Sequence, residues 1–149
     1  MRLEKNKRKA TICRSDGLKK DVNFFLRQFA EGHSGKELVL DVMNSKASFI
    51  PLQDIKTNGI VFLNKSNVMF LELHERDLME ETMLASKVPV LVELTNGDTM
   101  NGSFFLEMPQ DRSRVSDYIN FSPQFVYLCR EEGDIILNKA FLFSVTEAE

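Results

Sequence analysis

This chain contains one sequence pattern twice, and the repetition limits the folds that are open to it. SDYINFSPQFVYL at 116–128 aligns without a gap with LDVMNSKASFIPL at 40–52, so that Asp117 coincides with Asp41 and Phe125 with Phe49. After a shorter turn in the second copy, DIILNK at 134–139 aligns with IVFLNK at 60–65. Recurring blocks in one fixed order indicate an internal duplication.

The duplication extends upstream of these blocks. LVELTNGDTMNGSFFL at 91–106 aligns with TICRSDGLKKDVNFFL at 11–26, so that Gly97 coincides with Gly17. Asp-Gly and Asn-Gly pairs between apolar runs predict tight hairpins. Each copy therefore begins with a predicted β-hairpin.

Each copy predicts the element order β-β-α-β-β-β. Five short strands with one helix between the second and third favour a small, strongly bent barrel over an open sheet. Gly102 is expected at a bend or bulge of its strand. The predicted fold is mainly β with inserted helices: a basic N-terminal arm at 1–8, a first small barrel at 9–74, a linker helix at 75–88 and a second small barrel at 89–147.

Size and composition favour a protein whose two units support each other. A unit of half of 149 residues buries a thin core, so we expect the two units to pack together or to form an oligomer. No run reaches the ~18 apolar residues of a membrane span, and the basic N-terminus precedes no apolar run. Cys13 and Cys129 occupy unmatched positions, which favours reduced thiols in a cytoplasmic protein.

The charge is unevenly distributed. Residues 1–14 carry six Lys or Arg and one Glu, a net charge of +5, so the rest of the chain sums to −8 within a total of −3. Domains that hold a phosphate backbone are usually basic. The acidic body therefore argues against a dedicated nucleic-acid role, while the arm could be either a solvated lead-in or an electrostatic contact for RNA or an acidic partner.

VELTNGDTMNGSFF at 92–105 and QFVYLCREEGDIILNKAFLFSV at 124–145 resemble the Sm-like barrels, in particular those of the bacterial Hfq RNA chaperones. That resemblance implies an RNA-binding capacity, although this chain inserts a helix that the family lacks, and it lacks the His or Gly that accompanies the basic turn residue there. Arg114, Ser116 and the following DYIN also resemble an uncharacterised family of bacterial domains with an Arg-x-Ser-Asp-Tyr-Ile-Asn type of motif. This second resemblance implies kinship and no particular chemistry.

The basic candidates have two interpretations. Asn64-Lys65 and Asn138-Lys139 recur in both copies and predict tight turns with a solvated Lys, or alternatively a pair of phosphate contacts. The Asp and Asn at 41 and 44, and at 117 and 120, share a helix face, and we expect each Asn to end its helix. The full set of candidate basic contacts is Lys65, Lys139, Lys7, Arg8, Lys9, Arg112 and Arg114.

The inventory for catalysis is poor. His33 and His74 have no counterpart in the other copy, and no metal-ligand spacing, nucleophile motif or phosphate-binding glycine loop is present. We therefore expect no enzyme activity, no cofactor, no metal and no small-molecule substrate.

The functional prediction is a non-catalytic protein-interaction or assembly module. Exposed barrel edges pair with neighbours, so one edge of the first copy could pair with the second copy, and the outer edges could pair with a protein partner or between chains. The alternative is ordinary barrel closure. The candidate interaction strands contain Met69, Phe70, Leu71, Phe141, Leu142 and Phe143. A second functional hypothesis is single-stranded RNA binding through the basic arm and the two Asn-Lys turns.

Overall fold

A computed structural model describes residues 6–30, 32–33, 35–106 and 115–148. These residues form ten strands and three short helices, and two 3-10 turns connect strands in equivalent places. The elements are β1 (Asn6–Arg14), β2 (Lys19–Leu26), α1 (Val39–Met43), β3 (Phe49–Asp54), β4 (Ile60–Asn64), a 3-10 turn (Lys65–Asn67), β5 (Val68–Leu73), α2 (Glu80–Met83), β6 (Ser86–Leu94), β7 (Thr99–Leu106), α3 (Val115–Phe121), β8 (Phe125–Leu128), β9 (Ile135–Asn138), a second 3-10 turn (Lys139–Phe141) and β10 (Leu142–Glu147).

Both predicted hairpins form at their glycines. Gly17 and Gly97 have φ values of +88° and +92°, in the left-handed region that glycine tolerates without a Cβ clash. The two turns close by matching main-chain bonds: Arg14 N donates to Leu18 O at 2.9 Å, and Leu94 N donates to Asp98 O at 2.8 Å. The strands on either side are therefore set in antiparallel register from the turn outward.

The fold is mainly β, and its strands form two open antiparallel sheets. The larger sheet has the order β4-β3-β2-β1-β5-β9-β8, and the smaller has the order β10-β6-β7. A single bridge, Ser103 to Cys129, links β7 to β8. In the described part of the chain neither sheet closes into a barrel, so the prediction of two closed barrels is not confirmed. Within the first half β5 pairs with β1 on one side, and its other side pairs with β9 of the second half rather than with β4.

The two halves repeat the same strand register. Ile12 faces Leu71 on β5, and the equivalent residue of the second half, Val92, faces Val145 on β10. The ladder between β1 and β5 and the ladder between β6 and β10 each shift register at the equivalent position. The β3–β4 and β8–β9 ladders also correspond residue by residue. The alignment of the two copies in sequence is thus also the alignment of their paired strands.

Two boundaries differ from the sequence prediction. The linker helix expected at 75–88 forms only over Glu80–Met83, and its expected C-terminal part is strand instead, because Ser86 and the residues after it pair with β7 from Leu106 onward. The expected arm at 1–8 is in part a strand, since Asn6 to Arg8 pair with β2. At 6–8 and at 86–88 a strand ladder replaces the structure that the local sequence predicts.

Two apolar clusters form the core, and each one uses both halves. One contains Val22, Phe24 and Leu52 together with Phe125 and Ile136 of the second half. The other is built on Phe104 and Leu128 and includes Met69 and Phe70 of the first half. The halves are therefore packed as one body. Within the described residues, no helix has the length and apolar character needed to cross a membrane.

Candidate interaction interface

The two halves are joined edge to edge by β5 and β9, a contact that we call the internal joint. Phe70 lies opposite Leu137 and Leu71 opposite Ile136 in an antiparallel ladder. The candidate residues Met69, Phe70 and Leu71 are all buried here, at 3%, 7% and 0% exposure. This edge of the first half is therefore occupied by the second half of the same chain.

Two asparagine side chains bind main-chain atoms across the internal joint. Asn44, at the C-terminal end of α1, accepts a hydrogen bond from Phe125 N at 2.9 Å and donates to Phe125 O at 3.0 Å. Asn138 donates to Val68 O at 2.8 Å and accepts from the Gln124 amide at 2.7 Å. The sequence predicts for Asn44 only the role of ending its helix. The sequence signal that could have indicated a role in joining the halves is the recurrence of this asparagine at the aligned position, Asn120.

A buried polar network also belongs to the internal joint. The Arg76 guanidinium donates to Asp134 at 2.9 Å, the Tyr127 hydroxyl donates to the same carboxylate, and Arg130 N donates to it at 3.0 Å. Burial by itself would raise the pKa of Asp134, but these hydrogen bonds outweigh it and hold that pKa below its ordinary value. Burial raises the pKa of the neighbouring Asp77, whose carboxylate accepts a bond from Val39 N at 2.6 Å.

Two outer strands, β4 and β10, have no strand paired to their outer edge in the described part of the chain. There β4 pairs only with β3, and β10 pairs only with β6. Phe62 on β4 is 69% exposed and Phe143 on β10 is 71% exposed, whereas their equivalents at the internal joint, Ile136 and Met69, are 0% and 3% exposed. The other two candidates near this edge, Phe141 and Leu142, are half-buried. Apolar side chains that are buried at the internal joint therefore have equivalents on β4 and β10 that are exposed to solvent.

The two turn lysines bind helix ends within the chain. Lys65 Nζ donates to Ser45 O at 2.6 Å, just beyond α1. Lys139 Nζ donates to Ile119 O at 2.7 Å and Ser122 O at 2.8 Å, at the end of α3. Burial lowers the pKa of the Lys65 ammonium. Carbonyls at a helix C-terminus need donors, and these two lysines supply them.

Three of the remaining basic candidates lie on β1. Lys7 and Lys9 are exposed on β1, while Arg8 between them pairs with Glu75 and lies 3.7 Å from Asp77. Arg112 and Arg114 lie outside the described residues, so their role as basic contacts stays a prediction.

Two histidines and two cysteines lie among the described residues. No group of three His, Cys, Asp or Glu side chains in that part of the chain could hold a metal ion. His33 Nε2 lies 2.6 Å from Asp41 at the rim of an apolar cavity of about 650 Å³ between the helices. Both cysteines are buried and unpaired, and burial with the nearby Glu72 raises the pKa of Cys13 to about 12. The Cys13 thiol is therefore protonated at neutral pH, which makes it a poor nucleophile.

Comparisons of this chain with protein-family models, with curated proteins and with solved structures find no match.

Proposed function

We propose that this protein is a non-catalytic assembly module that joins copies of itself head to tail, with β10 of one copy adding to β4 of the next. The observation that carries the proposal is the internal joint. There the strand equivalent to β10 already pairs with the strand equivalent to β4. The chain thus contains one example of the contact that its two outer strands would repeat.

The alignment of the two copies specifies the register of the contact between chains. The β4 and β5 segments recur as β9 and β10, so that Leu63 is equivalent to Leu137 and Phe70 is equivalent to Ser144. The pair Phe70 and Leu137 at the internal joint then becomes Ser144 of one copy opposite Leu63 of the next. By the same rule Val145 lies opposite Phe62.

Burial of the apolar side chains on two edge strands is the physical driving force for this association. An exposed edge strand presents unpaired main-chain groups and is a template for another strand. Burying a Phe side chain contributes about 1.5–3 kcal/mol, and Phe62 and Phe143 are exposed on the two edges. Because the two surfaces differ, the contact is heterologous and generates a closed ring or an open filament.

The proposal also includes a fold of the Sm-like kind for each half. The order β4-β3-β2-β1-β5 in the first half, and the same order in the second half once the Ser103 bridge is included, support two bent sheets of the Sm-like kind that share their edges. The RNA-binding hypothesis receives no comparable support. Of its two sources of positive charge, the turn lysines donate to main-chain carbonyls of their own chain, and on the basic arm Arg8 pairs with Glu75 while Lys7 and Lys9 are exposed.

Engineered disulfides test the contact and its register. In Leu63→Cys/Ser144→Cys, directly opposite residues of an antiparallel pair come within disulfide range, so mild oxidation is expected to give covalent dimers, trimers and larger species in a denaturing gel. The control Leu63→Cys/Val145→Cys moves one thiol to the other face of its strand and is expected to stay monomeric. The two native cysteines are buried and common to both variants.

Two results would contradict the proposal. One is equal cross-linking in the two variants, which would indicate random collision. The other is light scattering that gives the mass of a single chain at every protein concentration.

A further inference from the structure

No described side chain fills the groove between α3 and β10 in the second half, whereas a phenylalanine fills its counterpart in the first half. The groove has a volume of about 460 Å³ and is lined by Ile119 and Asn120 of α3 and by Leu142 and Phe143 of β10. The equivalent residues in the first half are Met43, Asn44, Val68 and Met69. Phe125 of the second half packs there, in one buried cluster with Met43 and Val68, at 3% exposure.

The residue equivalent to Phe125 is Phe49, which is 56% exposed. The two phenylalanines hold the same place in their ladders, opposite Asn138 and Asn64. Lys139 N donates to Gln124 O, and Lys65 N donates to Ser48 O in the same way. Phe49, like Phe125, is therefore in a non-hydrogen-bonded pair, and its main-chain groups point away from the partner strand.

We propose that the groove between α3 and β10 receives Phe49 of a second copy, and that Asn120 binds the main-chain N–H and C=O of that Phe49. The inference rests on the proposed head-to-tail assembly and names the site that would make it selective. Asn44 performs the same task inside the chain, with bonds of 2.9 and 3.0 Å to Phe125.

Asn120 is placed for this change of partner. Its amide nitrogen now donates to Ser116 O of its own helix at 2.9 Å and reaches the Ser116 hydroxyl at 3.4 Å. The carbonyl of Ser116 lies in the first turn of α3, where the main-chain N–H four residues further on is its ordinary helical donor. Rotating the amide toward a neighbouring strand therefore exchanges the 2.9 Å bond and the longer 3.4 Å contact within the helix for two bonds across the interface.

Asn64 supplies a second contact, which also repeats one that is present at the internal joint. Its equivalent, Asn138, donates to Val68 O across the internal joint at 2.8 Å. Asn64 Oδ1 accepts from Ser66 N at 3.2 Å, just as Asn138 Oδ1 accepts from Ala140 N at 3.0 Å. The amide nitrogen of Asn64 is thereby directed toward the residue equivalent to Val68, which is Leu142 on β10 of the preceding copy.

The chain contains no tryptophan, so Phe49→Trp introduces a single fluorescent probe at the proposed contact. As assembly proceeds with rising protein concentration, its emission is expected to shift to shorter wavelength and become protected from acrylamide quenching. The dissociated reference is Phe49→Trp/Phe143→Asp. The control Phe29→Trp, at a position that is 72% exposed and outside both edge strands, is expected to stay quenchable throughout.

Adding Asn120→Ala to the probe variant is expected to weaken association by roughly tenfold, the effect of losing hydrogen bonds across an interface. Asn101→Ala, an exposed asparagine on β7, is the matched control and is expected to have no effect. An assembly of unchanged mass in which the Phe49→Trp probe stays quenchable, or in which Asn120→Ala changes nothing, would overturn this inference and leave edge pairing intact. A single-chain mass for the unmodified protein would instead overturn the assembly proposal itself.

Discussion

The Lys65 ammonium lies 2.6 Å from the carbonyl oxygen of Ser45, at the end of α1, and Lys139 holds the end of α3 in the same way. An Asn-Lys pair that is typical of a solvated turn or a phosphate contact therefore ties each inserted helix to the turn before β5 or β10. This has a direct consequence for stability.

Replacing either lysine is expected to destabilise the fold. Lys65→Ala leaves the Ser45 carbonyl without its charged donor, and a hydrogen bond to a charged group contributes about 1.5–3 kcal/mol. Urea unfolding should show that loss for Lys65→Ala and a similar one for Lys139→Ala. The exposed neighbour Lys46→Ala should unfold like the unmodified protein. Unchanged stability of both turn variants would contradict this role.

Charge on the outer edges is expected to abolish assembly and leave the fold intact. Phe62→Asp and Phe143→Asp each place a carboxylate where the proposed contact is apolar, at side chains that are already exposed in the single chain. Light scattering should give the mass of one chain for both variants, with circular dichroism unchanged. Phe29→Asp, at an equally exposed position outside the edges, should assemble normally.

Met69→Asp separates folding from assembly. Met69 is 3% exposed and belongs to the second core cluster, so a carboxylate there is expected to unfold the protein and not merely to dissociate it. A folded Met69→Asp variant, judged by its thermal unfolding transition, would contradict the internal joint.

Acid stability is expected to depend on Asp134. Its pKa is lower in the folded protein than in the unfolded chain, so its contribution is fully present above the unfolded value of about 3.9 and is lost as the pH falls through the folded pKa. Asp134→Asn should therefore be less stable than the unmodified protein at neutral pH, and the difference in unfolding free energy should shrink on acidification. The exposed Asp98→Asn is the control. If the unfolding free energies of Asp134→Asn and the unmodified protein depend on pH in the same way, this carboxylate is not the source of the acid dependence.

Gly102→Ala is expected to destabilise the second half through overpacking. A Cβ at this position would lie 2.6 Å from Leu128 Cγ and 2.8 Å from Cys129 O, beside the single bridge between β7 and β8. Overpacking of this kind costs about 1–3 kcal/mol, measurable as a lower thermal midpoint. Gly32→Ala, where a Cβ would meet nothing within 4 Å, is the control. The expected bend at Gly102 is thus a place where two strands approach closely.

Much of the local structure could be predicted because it depends on short sequence separations. The hairpins at Gly17 and Gly97 follow from turn chemistry, and the alignment of the two copies carries the strand register of one half onto the other. The helix boundaries were less accurate. The residues at 75–88 have helical periodicity, yet the helix ends at Met83 and Ser86 pairs with Leu106, a contact between residues 20 apart that the local pattern does not reveal.

The repeated blocks alone establish a duplicated, mainly β chain, because equivalent blocks form equivalent local ladders. What the duplicated residues do depends on how the halves meet in three dimensions. Asn44 binds Phe125 while its counterpart Asn120 binds its own helix, and Met69 is buried while its counterpart Phe143 is exposed. The physical reason is that one edge of the first half meets the second half, whereas the equivalent edge of the second half meets no partner in the described chain. Two copies with the same local sequence pattern do not reveal which of their edges is paired within the chain.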